Sequence, residues 1–247
     1  MDDQGPAVVA SPTIREVLAA FLADQRERLS PRTFRQYESV VELLICCLDG
    51  YGHDHIAGVE ERALFGACFQ AKDEEHREFT EVFGPNKIPL VFPSFVGWFM
   101  VRKVLGGTDL KRCAGTVTRK LSTWLAEKGH ISEGSATVGR QIGAGAARDL
   151  PKAERAARIL DETGLRLSVD PDDLLPEDHV EFDHFRIVRL EGARVWIEAS
   201  LGDEKLDAVP IPREAAALLK DNWEIACECV RVRGTWRLIN VANVYPR

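Results

Sequence analysis

The residues best suited to chemistry lie in the stretch TDLKRCAGTVTRKLSTWLAEKG, beginning at Thr108. Arg112, Thr116, Arg119 and Thr123 recur at intervals of four, three and four. That spacing sets them along one side of a helix advancing about 100° per residue. Lys111 and Lys120 flank the row. Guanidinium and ammonium groups neutralise phosphate, and threonine hydroxyls donate to phosphate oxygens. The row is therefore either a phosphate-binding ridge or simply the solvated face of an amphipathic helix. Further cations of the same kind stand at the start of an earlier helix (Arg32, Arg35) and at the end of another (Arg102, Lys103).

Catalytic types are present without the spacing that catalysis needs. The six cysteines (Cys46, Cys47, Cys68, Cys113, Cys227, Cys229) include no C-x-x-C, and no spaced histidine pair lies within reach, so zinc is not expected. Cys227 and Cys229 alternate as on a strand and share one face, read as core, and this usage fits a reducing compartment. There is no Walker A loop, no G-x-G-x-x-G between strand and helix, no H-E-x-x-H and no G-x-S-x-G. Trp196, Trp223 and Trp236 alternate with strand residues and could stack on bases, although core packing is the commoner use. The expectation is a protein that is not an enzyme and has no metal and no cofactor.

The elements that must position the ridge are read from periodicity and caps. Ile14, Val17, Leu18, Phe21 and Leu22 fall at helical spacing, with Thr13 as N-cap and Glu16 completing a capping box. Ser30 caps a second helix with Pro31 in its first position. Phe34, Tyr37, Val41, Leu44 and Leu48 form its apolar stripe, ended near Gly50 and Gly52. Two shorter helices are expected between Glu60 and Phe83, then an apolar helix, FPSFVGWFMVRKVLG. The ridge helix comes fifth, burying Leu110, Cys113, Val117, Leu121 and Trp124. After Ile131, SEGSATVGRQIGAGAARDLP reads as a linker, followed by a short basic helix, KAERAARIL. An acidic run follows, with Asp170, Asp172, Asp173, Glu177, Asp178, Glu181 and Asp183. From His184 the period becomes two: FRIVRL, ARVWIEASL, KLDAVPIP, EIACECVRVR and TWRLINVANVYP read as five strands, with one helical insertion, REAAALLKDN.

The 247 residues carry a net charge of −7, yet binding responds to local potential. From Arg102 to Arg158 there are twelve Lys and Arg against five acids. No apolar run is long enough for a membrane span, and MDDQGPAVV is acidic where a signal peptide is basic. No membrane association is expected, and the expected location is the cytoplasm.

The first helix, SPRTFRQYESVVELL, the apolar helix and GTVTRKLSTWLAEKGHI together resemble the N-terminal core-binding domain of the tyrosine recombinase, or phage integrase, family. The likeness covers roughly residues 13–131 and is strongest at Ser30, Pro31, Thr33 and Tyr37. It implies a SAM-like helical bundle that clamps duplex DNA. The family cuts DNA with a C-terminal domain containing H-x-x-R and a tyrosine nucleophile. Here His53, His55, His76, His130, His179 and His184 are followed three residues on by Ile56, Gly58, Phe79, Glu133, Phe182 and Ile187. Tyr245 lies late in the chain but has no activating neighbour in the sequence, and strand cleavage is not expected.

The resulting expectation is an α+β chain. Residues 1–131 form the integrase-like bundle, 132–178 a linker with a short basic helix and an acidic segment, and 179–247 a small antiparallel β-barrel or roll. The expected function is non-catalytic binding of duplex DNA through Arg32, Arg35, Arg102, Lys103, Lys111, Arg112, Thr116, Arg119, Lys120 and Thr123. The alternative is a protein-interaction or regulatory module that contacts a protein partner through the C-terminal domain.

Overall fold

The computed structural model describes residues 8–167, 169, 174–200 and 202–247, so Asp170, Asp172 and Asp173 of the acidic run lie outside the described residues. The chain is α+β, and it divides into two compact units, residues 1–99 with 113–145 and residues 100–112 with 146–247.

In the first unit, helix α1 spans Ile14–Arg26 and α2 spans Pro31–Tyr51. The Thr13–Glu16 capping box forms, and the Ser30 hydroxyl accepts from Thr33 N–H. α3 (Val59–Gln70) and α4 (Phe79–Val82) follow. α5 (Ile88–Ser94) continues through a π-helical turn at Phe95–Phe99 into α6 (Met100–Arg102). α7 is Thr108–Glu127 and α8 is Glu133–Leu165. The expected apolar stripes are buried except at Leu22, which is half-buried: Ile14, Val17, Leu18 and Phe21 of α1 and Phe34, Tyr37, Val41, Leu44 and Leu48 of α2 all lie inside, as do Val117 and Leu121 of α7. The Phe21 ring meets Trp124 edge-on at 5.6 Å and stacks on Tyr37 at 6.3 Å, which fixes α1 between α2 and α7. The Trp124 indole N–H donates to Asp24 at 2.7 Å.

The stretch read as a linker is the first half of α8. Ser132 caps it, accepting from Ser135 N–H at 3.2 Å. Two of its glycines, Gly139 and Gly143, are contact points between helices and not breaks. A Cβ on Gly143 would stand 2.5 Å from Arg119 N and 2.6 Å from Gly115 O, and one on Gly139 2.3 Å from Ser122 Oγ. Each interior glycine costs about 1 kcal/mol of helix propensity, which close packing against α7 offsets here.

In the second unit the strands are β1 (His179–Glu191), β2 (Arg194–Ala199), β3 (Lys205–Pro210), β4 (Glu224–Val232) and β5 (Thr235–Tyr245). A short helix, α9 (Arg213–Ala216), precedes β4. All pairings are antiparallel in the order β3-β2-β1-β4-β5. Of the expected barrel or roll, the barrel is not formed, since the sheet is open and does not close. The second half of α8 explains this, because Ala153, Ala156 and Leu160 join Phe185, Ile187, Ile197, Ile225, Cys227, Cys229 and Leu238 in one core. A helix covers the apolar face that a barrel would have to cover with its own strands. Edge strand β3 is short, ends in Pro210 and carries Ala208 at φ +54°, features that blunt further pairing. Trp223 is buried, while Trp196 and Trp236 are half-buried beneath Arg189 and Arg231, which lie 4.4 and 5.3 Å from their ring centres.

Asp149 ties α8 to the segment following α9. It accepts from Arg148 at 3.0 and 2.9 Å and from Lys220 at 2.7 Å. Burial raises its pKa, but the hydrogen bonds and charges of Arg148 and Lys220 outweigh burial and hold it below the ordinary 3.8. A lowered folded pKa contributes stability above the ordinary value and loses it as pH falls through the folded one. Asp149→Asn should therefore be less stable than wild type near pH 7 and should lose less stability between about pH 5 and pH 3. Urea midpoints at the two pH values test this, and equal losses for both proteins would refute it.

Candidate nucleic-acid interface

α7 meets the rest of its unit on two adjoining faces. One carries the expected apolar stripe of Cys113, Val117, Leu121 and Trp124, with Leu110 at its half-buried end. The second was not visible as a hydrophobic pattern, because it is built from Ala114, Gly115, Thr118 and Ser122. Gly139 and Gly143 of α8 pack on Gly115, the Arg119 backbone and Ser122. Thr118 and Ser122 satisfy their buried hydroxyls on the helix itself, donating to Ala114 O and Thr118 O at 2.9 and 2.7 Å. The recurrence of small residues four apart was the available signal.

Within this unit Arg119, Lys120, Thr116 and Thr123 fall together on the remaining face of α7. Arg119 and Lys120 are exposed, and the two threonines are half-buried. The Thr123 hydroxyl donates its one proton to Arg119 O at 3.2 Å, so it would have to turn from that carbonyl to donate to a phosphate. Arg119 and Lys120 make no ion pair among the described residues. Arg32 and Arg35 are exposed in the first turns of α2, whose N-terminal dipole adds positive potential. Burial raises the pKa of Tyr37, one turn further on, and Cys113 adds to the rise; the Arg119 guanidinium acts in the opposite direction.

The other expected contacts belong to the second unit. Arg102 and Lys103 are exposed at and just beyond the end of α6. Arg112 is exposed in the first turns of α7 and pairs with Asp109 at 3.8 Å. Lys111 is a correction, since its side chain is only 4% exposed and is ion-paired with Glu154 of α8. It lies about 100° round the helix from Arg112, just enough to pass from the open face to the covered one. Lys111→Ala should cost about 1–3 kcal/mol, below the loss for a fully buried pair because Glu154 keeps solvent contact. Its expected effect on DNA affinity is nil. Denaturant unfolding and a binding titration on the same variant check both halves of that statement.

The Tyr245 hydroxyl is buried without a partner, with its ring 5.1 Å from that of His184. Burial pushes the Cys47 thiol up to about 12 and that of Cys113 to about 11, and it raises Cys227 strongly. Among the described residues no group of histidine, cysteine and acidic side chains has the arrangement to hold a metal ion. No helix is long and apolar enough to cross a membrane among those residues. Comparisons with protein-family models, curated proteins and solved structures give no match to this chain.

Proposed function

We propose that this chain is a non-catalytic DNA-binding protein whose helical unit holds duplex phosphates along α7. The observation that carries this reading is the pairing of exposure with support. Arg119 and Lys120 face solvent on a helix whose other two faces are buried, so the cations are offered from a fixed backbone. Thr116 and Thr123 lie between them, and Arg32 and Arg35 extend the positive character at α2. The sequence likeness to the integrase core-binding bundle points the same way. These groups address phosphates and not base edges, so the expected binding is salt-dependent and weakly selective. Mobility shift of a random duplex across a salt series tests it, and absence of binding at low salt would overturn it.

A second reading rests on α3. Val59 is 82% and Phe69 47% exposed, amid Glu60, Glu61, Asp73, Glu74 and Glu75. Exposed apolar side chains within an acidic surface suit a basic protein partner better than DNA. A nuclease-resistant pull-down that Phe69→Ala abolishes would favour it.

A further inference from the structure

In the second unit, the last turns of α8, the turn before α9 and β5 border a groove. It consists of two adjoining cavities, of about 530 and 150 Å³, that share Thr163 and Pro212. Leu160 and Leu238, exposed by 2% and 6%, form its wall with Leu167, so its lining continues the core of the sheet. Arg166, Arg213 and Arg237 line it as well. In the same unit Arg186 pairs with Glu198, Arg231 with Asp178 and Arg247 with Glu224, while the exposed Arg194 of β2 has no ion pair among the described residues. Among the described residues, the guanidinium groups of these three arginines make no ion pair and no hydrogen bond. Glu162 and Glu214 also line it, leaving one positive charge over among the described residues.

We propose that this groove binds a small amphipathic monoanion, a carboxylate on an unbranched alkyl chain. Guanidinium groups match a carboxylate with two parallel N–H donors. The leucine wall takes the chain, in the usual division of a ligand site into an apolar lining and a few convergent polar groups. Glu162 and Glu214 oppose a second negative charge, which disfavours phosphate and nucleic acid. The site shares no residue with the α7 ridge, so the two proposals stand or fall separately.

Calorimetric titration of the full chain with decanoate, below its micellar range, tests the proposal. The expected result is saturable one-to-one binding, weakened at least tenfold in Arg166→Ala/Arg213→Ala and in Arg237→Ala. Thr163→Trp, an exposed position at the junction of the two cavities, should block it by filling the groove. Acetate, which has the head without the chain, and decan-1-ol, which has the chain without the charge, should each bind at least tenfold more weakly. Arg166 and Arg213 are exposed, and a circular dichroism melt confirms that their variants fold. Absence of decanoate binding, unchanged binding by the arginine variants, or equal binding of inorganic phosphate would overturn the proposal.

Discussion

Arg119→Glu with Lys120→Glu should abolish retardation of a random duplex at moderate salt and weaken binding at least roughly tenfold at about 50 mM salt. Each phosphate contact releases counterions, so log K falls with log salt by about 0.9 per contact. Losing two contacts should flatten that slope by about two, a signature that simple loss of active protein does not produce. Both side chains point to solvent, so the reversal leaves the buried faces of α7 untouched. Arg194→Glu with Arg233→Glu is the control, because it makes the same change in net charge at two exposed arginines of the other unit. If the control and the double variant bind alike, net charge and not the α7 face governs affinity, and the proposal fails. The Arg32→Glu/Arg35→Glu variant should show a smaller loss of the same kind.

The second large effect is structural. Gly143→Ala should destabilise the protein by about 2–4 kcal/mol, lowering the melting temperature by about 5–15 °C. The new methyl would meet Arg119 N at 2.5 Å, Gly115 O at 2.6 Å and Arg119 Cα at 2.9 Å, all of them backbone atoms that no rotamer change can move. α7 and α8 must then separate, which also shifts the residue that carries the ridge. Duplex affinity should fall together with stability. Gly145, two positions on, has nothing within 4 Å of its virtual Cβ. Gly145→Ala should stabilise by about 0.5–1 kcal/mol, as alanine does at an unhindered helix position. Opposite signs for two identical substitutions two residues apart are the test, and equal melting temperatures would show that α7 and α8 do not pack this closely.

These two glycines also show where sequence reasoning stops. Thr13, Ser30 and Pro31 announce their helices because a cap acts within one turn of chain, and the stripes of α1 and α2 repeat at the helical period. The five strands were legible for the same reason, since alternation is a local property of an extended chain with one buried face. Gly139 and Gly143 carry an identical local signal in a loop and in a tight helix crossing. Only the partner helix separates the two cases, and α7 lies about twenty residues earlier in the chain. The ridge of Thr116, Arg119, Lys120 and Thr123 was readable because it is defined by the stripe opposite. Lys111 was misplaced because KAERAARIL was expected as a helix but its packing through Glu154 on the start of α7 was not.

The amino-acid sequence by itself determined the order and type of most elements, the buried stripes of α1 and α2, and the open face of α7. Each of these follows from side-chain spacing and caps, which act over a few residues. Tertiary structure alone decided that residues 133–165 form one helix, that Lys111 is sealed against Glu154, and that α8 covers the sheet and leaves it unclosed. Those outcomes depend on which surfaces meet across long separations in the chain, where close packing overrides the local preference of glycine for turns.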